Sequence, residues 1–591
     1  MRGVVAALEI VWRAGRWHSA VLVAATVVAA TVPVLTAWLT KLVIDLLTGE
    51  GALAQVLPLA LGLAVAGLAI AVSQEVRTYS TTELSRRVGV LAQARLYRAV
   101  NRLPGLARLE NPAFLDRLRL AAQAGGKTPA QIVEAGLELA AGAITILGFL
   151  GSLLVISPVM AMAVLAGALP ALMAEIALSR RRAAMLWRIG PVERRELVYS
   201  DLMSSVTAAK ETRLFGLGGF LHGRMMTERQ TANAEERRID RRTLAVQTLL
   251  GVVSALISGA GLVWAIAQAS SGVLTPGDVA LFIAAVAGVQ SSLGTLVTQV
   301  ALAHHELLMF AHYRHVVTVE PEMPVGALPP PPPPGAIEFR DVWFRYGPEH
   351  PWVLRGVSLT VPFGGSTGLV GKNGAGKSTL VKLLCRFYDP THGAILWNGV
   401  DLRDVDPELL RERITTVFQD FMVYEMTAGE NIGLGELSLL EDRSAITTAA
   451  ENAGADSMLR ELPRGYDSLV TRSFFQDGEE SEGVYLSGGQ GQRVAIARAL
   501  LRGERDLVIL DEPSSGLDAE AEYEVHSRLR HLRRGQASLL ISHRLGVVRD
   551  ADRLLVLEDG AITEEGTHDE LMSTQGVYAH LFSLQASGYQ K

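Results

Sequence analysis

Gly371-Lys372-Asn373-Gly374-Ala375-Gly376-Lys377-Ser378-Thr379 is a G-x-x-x-x-G-K-S loop, and its surroundings decide the fold of the C-terminal half. Ser366-Thr367-Gly368-Leu369-Val370 leads into it as a short strand, and Leu380-Val381-Lys382-Leu383-Leu384 continues it as a helix. In a strand–loop–helix of this kind, backbone N–H groups at the helix start cradle phosphates. Lys377 reaches the β and γ oxygens, and the Ser378 hydroxyl ligates Mg²⁺. By itself the loop implies a nucleoside triphosphate site. A second motif, Leu486-Ser487-Gly488-Gly489-Gln490, stands well downstream.

Between and beyond these two motifs, short β-type runs such as Ile337-Glu338-Phe339 alternate with helical patterns, an α/β layout. Leu507-Val508-Ile509-Leu510-Asp511-Glu512 is an apolar strand ending in two carboxylates. Burying acids there is costly unless they serve chemistry. Asp511 suits the Mg²⁺ shell, and Glu512 suits the residue that orients and polarises an attacking water. Tyr346, in Val342-Trp343-Phe344-Arg345-Tyr346, is available to stack on adenine or to serve as core. Gln419 follows a β-type run and is available to Mg²⁺ or to the attacking water. His543 ends the apolar run Leu539-Leu540-Ile541-Ser542, where it either contacts a γ-phosphate or is structural. Asp518, in Ser515-Gly516-Leu517-Asp518, sits where a loop could meet another subunit. Each residue alone has a bland reading; their order argues for one site.

The chain has 591 residues, too many for one core. Apolar residues make up 49% and charged ones only 20%, a low charge content for a soluble protein of this size. A net charge of -6 gives no electrostatic support for a nucleic-acid partner. The single cysteine, Cys385, cannot form an internal disulfide and reads as a buried structural thiol.

The apolar residues concentrate in the first half. Charge-free or nearly charge-free runs near 19–40, 51–74, 137–156, 158–178, 243–269 and 278–303 each approach the ~20 residues a helix needs to cross a bilayer. Six spans are expected, the third and fourth joined by a tight turn at Ser157-Pro158. Arg13 and Arg16 precede an apolar run longer than the core of a signal peptide, so the first span is expected to be a retained anchor. The segment between spans 2 and 3 carries ten basic residues from Arg77 to Lys127, and the one between spans 4 and 5 begins Arg180-Arg181-Arg182. Positive-inside reasoning places both segments and both termini in the cytoplasm. These segments read as helical extensions of the spans, each about 45 Å long, meeting near Glu110-Asn111-Pro112 and near Lys210 to Gly216. The spans hold few ionisable residues. Glu175, His304 and His305 lie close to the inner surface, and Gln247, Gln268, Gln290 and Gln299 offer hydrogen bonds to a cavity or to neighbouring helices. Six prolines at 329–334 mark a semi-rigid spacer between residues 1–318 and 336–591.

This ordered set resembles the ATP-binding cassette (ABC) transporter family, specifically its exporter-type half-transporters, over nearly the whole chain. The expected fold class is multidomain: an all-α six-helix transmembrane domain with long cytosolic helical extensions, then a linker at 319–335 and an α/β P-loop NTPase cassette. The resemblance implies that Gly371, Asn373, Gly374, Gly376, Lys377, Ser378 and Thr379 belong to Walker A and that Asp511-Glu512 ends Walker B. It makes Ser487, Gly488, Gly489 and Gln490 the signature that completes the site of a facing cassette. Tyr346 then fits the A-loop, Gln419 the Q-loop, Asp518 the D-loop and His543 the switch histidine. Residues 110–117 and 210–216 look like the two coupling helices. The implied ligands are ATP and Mg²⁺, with Glu512, His543 and Lys377 catalytic and Ser378, Gln419 and Asp511 at the metal. The implied partners are a second half-transporter (an identical copy first), the lipid bilayer and a small amphipathic substrate, with no nucleic acid.

ATP-driven export across the cytoplasmic membrane is the first functional expectation. A heterodimeric lipid or peptide flippase, or an importer on the exporter fold, stays open. With about 18 residues before span 1, no leader-peptidase domain is expected ahead of it. Two departures from the family pattern stand out. Gly491 replaces the usual basic or bulky residue, which should alter how the signature helix starts. Residues 475–483 are longer and more acidic than the usual segment there.

Overall fold

The computed structural model describes residues 2–49, 53–471, 483–513, 527 and 535–589. They form two compact units, Met1–Val100 with Ala113–Val319, and Asn101–Pro112 with Glu320–Lys591. This division differs from the sequence expectation in two places. The turn 101–112 groups with the C-terminal unit although it interrupts the helical one. Residues 320–335, expected as a semi-rigid spacer, group with the same unit.

Among the described residues the first unit has eight helices: α1 (Arg2–Ala14), α2 (Arg16–Thr48), α3 (Leu53–Asn101), α4 (Pro112–Ile156), α5 (Pro158–Ser204), α6 (Val206–Leu214), α7 (Gly218–Ser270) and α8 (Pro276–Val317). Among the described residues, α2, α3, α4, α7 and α8 are long and apolar enough to cross a membrane, and α5 opens with the apolar stretch Pro158–Pro170. Ser157 is the N-cap of α5 and Pro158 its first residue, so the α4–α5 turn is a single non-helical position. α3 and α7 run unbroken for 49 and 53 residues, well past their apolar stretches.

Without water to drive apolar association, helices in this setting pair through small residues and interhelical hydrogen bonds. Beyond the apolar stretches, Gly89 of α3 meets the Gly126 carbonyl of α4, where an added Cβ would lie 2.9 Å from the oxygen. The Thr145 hydroxyl donates to Ala30 O at 2.9 Å, and Trp38 Nε1 donates to Ser152 Oγ at 2.7 Å, joining α4 to α2. At the far end of α2, Lys41 Nζ donates to Asp45 Oδ2 at 2.8 Å and pairs with Asp278 Oδ1 of α8 at 2.9 Å. Asp278 also completes a capping box with Thr275 at the start of α8. Beyond the apolar stretches, α5 and α7 are tied by exposed ion pairs, the two-pronged Arg195–Glu228 contact at 2.9 Å among them. The side chains of Glu175 and of residues 180–182 lie outside the described set, and His304 and His305 are exposed.

The second unit holds two sheets. An antiparallel one has the order β2 (Leu354–Val361), β1 (Ile337–Phe344), β4 (His392–Trp397), β5 (Val400–Asp401). The other runs β10 (Ala561–Gly566), β9 (Arg553–Glu558), β3 (Ser366–Val370), β8 (Ala537–Ile541), β7 (Leu507–Asp511), β6 (Ile414–Val417). From β9 to β6 its strands are parallel, and β10 adds one antiparallel edge. A parallel strand buried on both faces reads as a continuous apolar run, which is why β7 showed no alternation. Leu507 and Ile509 point into the core shared with the antiparallel sheet. Val508 and Leu510 point into a second core under the helices. These are α11 (Ala428–Gly433), α12 (Arg443–Asn452), α13 (Asp456–Arg460) and α14 (Gly488–Leu501), whereas α9 (Lys377–Leu384) and α10 (Pro407–Glu412) pack into the first core, and further short helices follow at the C-terminal end.

Arg386 explains why the proline-rich stretch packs down. Its guanidinium is fully buried and donates to Pro324 O at 2.7 Å, to Arg403 O at 2.9 Å and to Val405 O. Leu328 N donates to Asp404 O, and Asp406 N donates to Leu328 O, so the strap is hydrogen-bonded along its path. Residues 101–112 are held by the same surface. Leu106 N donates to Phe387 O at 3.1 Å, the Arg411 guanidinium donates to Pro104 O, and Lys382 pairs with Glu110 at 2.7 Å.

Candidate functional site

The C-terminal edge of the parallel sheet gathers the chemistry. β3 ends at Val370 and the loop turns into α9 at Lys377. Gly374 and Gly376 adopt φ of +83° and +108°, open only to glycine without strain. At Gly371 an added Cβ would fall 2.3 Å from Leu557 O, so the chain passes this point only without a side chain. Lys377 is buried and its Nζ donates to the Gly371 and Lys372 carbonyls at 2.7 and 3.0 Å. Burial lowers its pKa, and Glu512 and Asp511 act in the opposite sense.

Asp511 closes β7 directly opposite Ile541 of β8 and is buried. Its carboxyl is pushed up to about 6 by burial and by Glu512, although the Ser378 hydroxyl donates to it. Glu512 follows at φ +50°, a left-handed conformation that non-glycine residues rarely take. Three contacts hold it there. Its N–H donates to Ile541 O at 2.8 Å, its carbonyl accepts from Gln492 Nε2 at 3.3 Å, and its Oε2 accepts from Gln419 Nε2 at 3.0 Å. His543 Nδ1 lies 3.2 Å from the same Oε2. Strained backbone held by its surroundings is typical of working residues.

Glu512, His543, Gln419, Asp511, Ser378 and Lys377 therefore lie together. The oxygens of Ser378, Asp511 and the Gln419 amide form a hard-donor set, and the raised Asp511 carboxyl marks charge that a divalent cation would neutralise. A cleft of about 710 Å³ runs from Ser378 and Asp511 past Gln419 to Phe387, Tyr424 and Arg498. Tyr346 sits beside α9, its hydroxyl 3.1 Å from Thr379 Oγ1, and the residue is 37% exposed.

The second motif caps α14. Ser487 is the N-cap, accepting from Gln490 N at 3.3 Å, while Ser487 N donates to Gln490 Oε1 at 2.8 Å. Gly488 has open space where a Cβ would be. Departure at Gly491 leaves the helix start intact, since the capping box is complete. An added Cβ there would press on Val423 and Phe421 at 3.0 and 3.1 Å, so glycine allows a close approach. Asp518 and the acidic stretch before Gly483 lie outside the described residues. Sequence reading passed over Gln492, almost fully buried in α14. An uncharged polar residue on an otherwise apolar helix face was its only signal.

Cys385 is buried in the core, with its thiol pushed up to about 12 by desolvation, an inert position. In the helical unit a smaller cleft of about 320 Å³ is lined by Gln247, Gln290, Ser254, Gly251, Gly294 and Leu250, among others. Gln290 Nε2 donates to Ser254 Oγ there at 2.9 Å.

A nucleotide-binding loop and a carboxylate-ended strand on one parallel sheet define an α/β P-loop nucleotide-binding domain, preceded by a set of membrane-length helices. Residues 354–515 match the family described as ABC transporter. The chain's fold is that of a bacterial Atm1-family ABC exporter solved with ATP bound, at a TM-score of 0.78 and 24% identity over 96% of this chain and 100% of that one. Among curated relatives, the ATP-dependent lipid A-core flippase of Chromohalobacter salexigens is 38% identical over 58% of this chain and 57% of its own length. That of Alkalilimnicola ehrlichii is 38% identical over 53% of this chain and 52% of its own length. The subtilin transport ATP-binding protein SpaT of Bacillus subtilis is 28% identical over 80% of this chain and 76% of its own. The chain thus spans a little over half the length of the two flippases.

Proposed function

We propose that this chain is an ATP-driven exporter of lipophilic or amphipathic cargo, acting as a dimer in the cytoplasmic membrane with both termini inside. The observation that carries the reading is the convergence of Gln419 and His543 on Glu512 beside the phosphate loop, in a chain with membrane-length apolar helices. Glu512 is the base that polarises the attacking water, and Gln419 and His543 orient it. Lys377 and the loop amides hold the phosphate chain, and Tyr346 stacks on adenine. Mg²⁺ held by Ser378, Gln419 and Asp511 would neutralise charge at the transferring phosphoryl group. Ser487, Gly488, Gly489 and Gln490 face outward from the cap of α14, suited to the γ-phosphate of a partner's nucleotide. Asp518 belongs to the same interface by family pattern. A closed two-fold pair of identical chains makes two complete sites. The intact Glu512 and His543 are equally compatible with pairing to a degenerate partner.

Cargo character follows from the helical unit. Among the described residues, the cleft around Gln247 and Gln290 is lined by neutral polar, small and apolar side chains and by no charged one. That supports an amphiphile with an uncharged polar group, in line with relatives named for lipid A-core and subtilin transport. The test is ATPase activity in proteoliposomes across a panel of amphiphiles, with Glu512→Gln alongside. The variant should bind ATP and lose turnover by about 10²-fold or more. Hydrolysis near the wild-type rate would remove Glu512 from its role, and a panel with no stimulation would sink the cargo class.

A further inference from the structure

Tyr346 does not stand alone beside the phosphate loop. Lys382 Nζ, from α9, lies 5.3 Å over its ring and 5.8 Å over that of Tyr388. The two tyrosines meet edge to face with centroids 5.3 Å apart, and Phe344 braces both, at 5.0 and 5.5 Å. The same Lys382 ammonium donates to Glu110 Oε1 at 2.7 Å, and the Tyr388 hydroxyl donates to the other oxygen of that carboxylate. Glu110 belongs to the turn 101–112, which connects α3 to α4.

We propose that Glu110 and Lys382 are positioning residues for the nucleobase: they set the placement of the Tyr346 ring and thereby couple adenine binding to the turn between α3 and α4. The inference rests on Tyr346 being the adenine platform. A cation over one ring face fixes that ring and leaves its exposed side to stack. Lys382 cannot hold both rings unless its charge is anchored, and Glu110 is its anchor. Burial would raise the Glu110 carboxyl, but the Lys382 ammonium and the Tyr388 hydroxyl outweigh it and hold the carboxyl below its ordinary value. Linkage makes the effect reciprocal, so a base seated on Tyr346 favours the turn's docked position as much as the docked turn favours the base.

The experiment uses the full-length protein in proteoliposomes and compares ATP with inorganic triphosphate, which has no base. Lys382→Met and Glu110→Gln should each raise the KM for ATP roughly three- to tenfold at unchanged kcat. Inhibition of the ATPase by triphosphate should stay within about twofold of wild type. Lys382→Arg should restore ATP affinity, and the double variant should be no worse than the weaker-binding single one. Tyr346→Ala separates the two layers. If it raises KM while Lys382→Met and Glu110→Gln do not, the relay is wrong and the adenine platform stands. If Tyr346→Ala leaves KM unmoved, the platform and the relay both fall. A parallel loss of ATP and triphosphate affinity would show general damage to the cassette and overturn the proposal.

Discussion

Asp511 provides the sharpest test of the site, because its carboxyl is buried beside Glu512, where a divalent cation would offset its charge. Its pKa is raised from 3.8 to about 6 by burial first and by Glu512 second. The folded state therefore holds the proton more tightly than the unfolded state. As pH rises from about 4 to about 6, the unfolded chain ionises first and stability falls; above about 6 both states are ionised and the loss is constant. A shift of about two units corresponds to about 3 kcal/mol. Asp511→Asn keeps an oxygen for the Ser378 hydroxyl and removes the charge, so it should recover most of that loss. In chelator at pH 7.5 the variant's cassette should unfold about 5–10 °C above wild type. The gap should shrink towards zero near pH 4. With Mg²⁺ and a non-hydrolysable ATP analogue the order should reverse, since only the wild-type carboxylate gains from the cation. Scanning calorimetry of the detergent-solubilised protein across pH reads all three. A variant less stable than wild type at pH 7.5 in chelator, or a gap independent of pH, would refute the argument.

Arg386→Met leaves the carbonyls of Pro324, Arg403 and Val405 without their buried donor and should destabilise the cassette by about 3–5 kcal/mol, measured by chemical unfolding. Limited proteolysis should then cut within 320–335, which the wild type protects. Lys41→Met leaves Asp45 and Asp278 facing each other and should weaken the α2–α8 contact by about 2–4 kcal/mol; adding Asp278→Leu should recover part of it in a double-variant cycle. Gln492→Leu, by releasing the Glu512 carbonyl, should lower kcat several-fold while ATP affinity stays within about twofold, and equal losses in both would assign Gln492 to packing alone.

Glycine-rich loops, apolar runs of span length and carboxylates ending an apolar strand are local chemical facts. Each imposes a backbone or burial requirement that few arrangements meet, so the helical region, the α/β cassette and the residues Lys377, Ser378, Asp511 and Glu512 were legible from composition and spacing. Gln419 and His543 were placed by their order in the chain; their shared hold on Glu512 Oε2 is a fact of β6, β7 and β8 lying side by side. Gln492 went unnoticed because its partner, twenty residues away along the chain, is a backbone carbonyl, a group every residue carries. The strap at 320–335 read as a semi-rigid spacer, since proline composition describes stiffness and says nothing about the buried Arg386 that receives it. Membership of the turn 101–112 in the cassette unit, and the joining of Glu110 to Lys382 and Tyr388 across some 270 residues, came only with the tertiary structure. Local sequence sets what each segment must bury or bond, whereas contacts between distant segments depend on which surfaces the whole chain brings together.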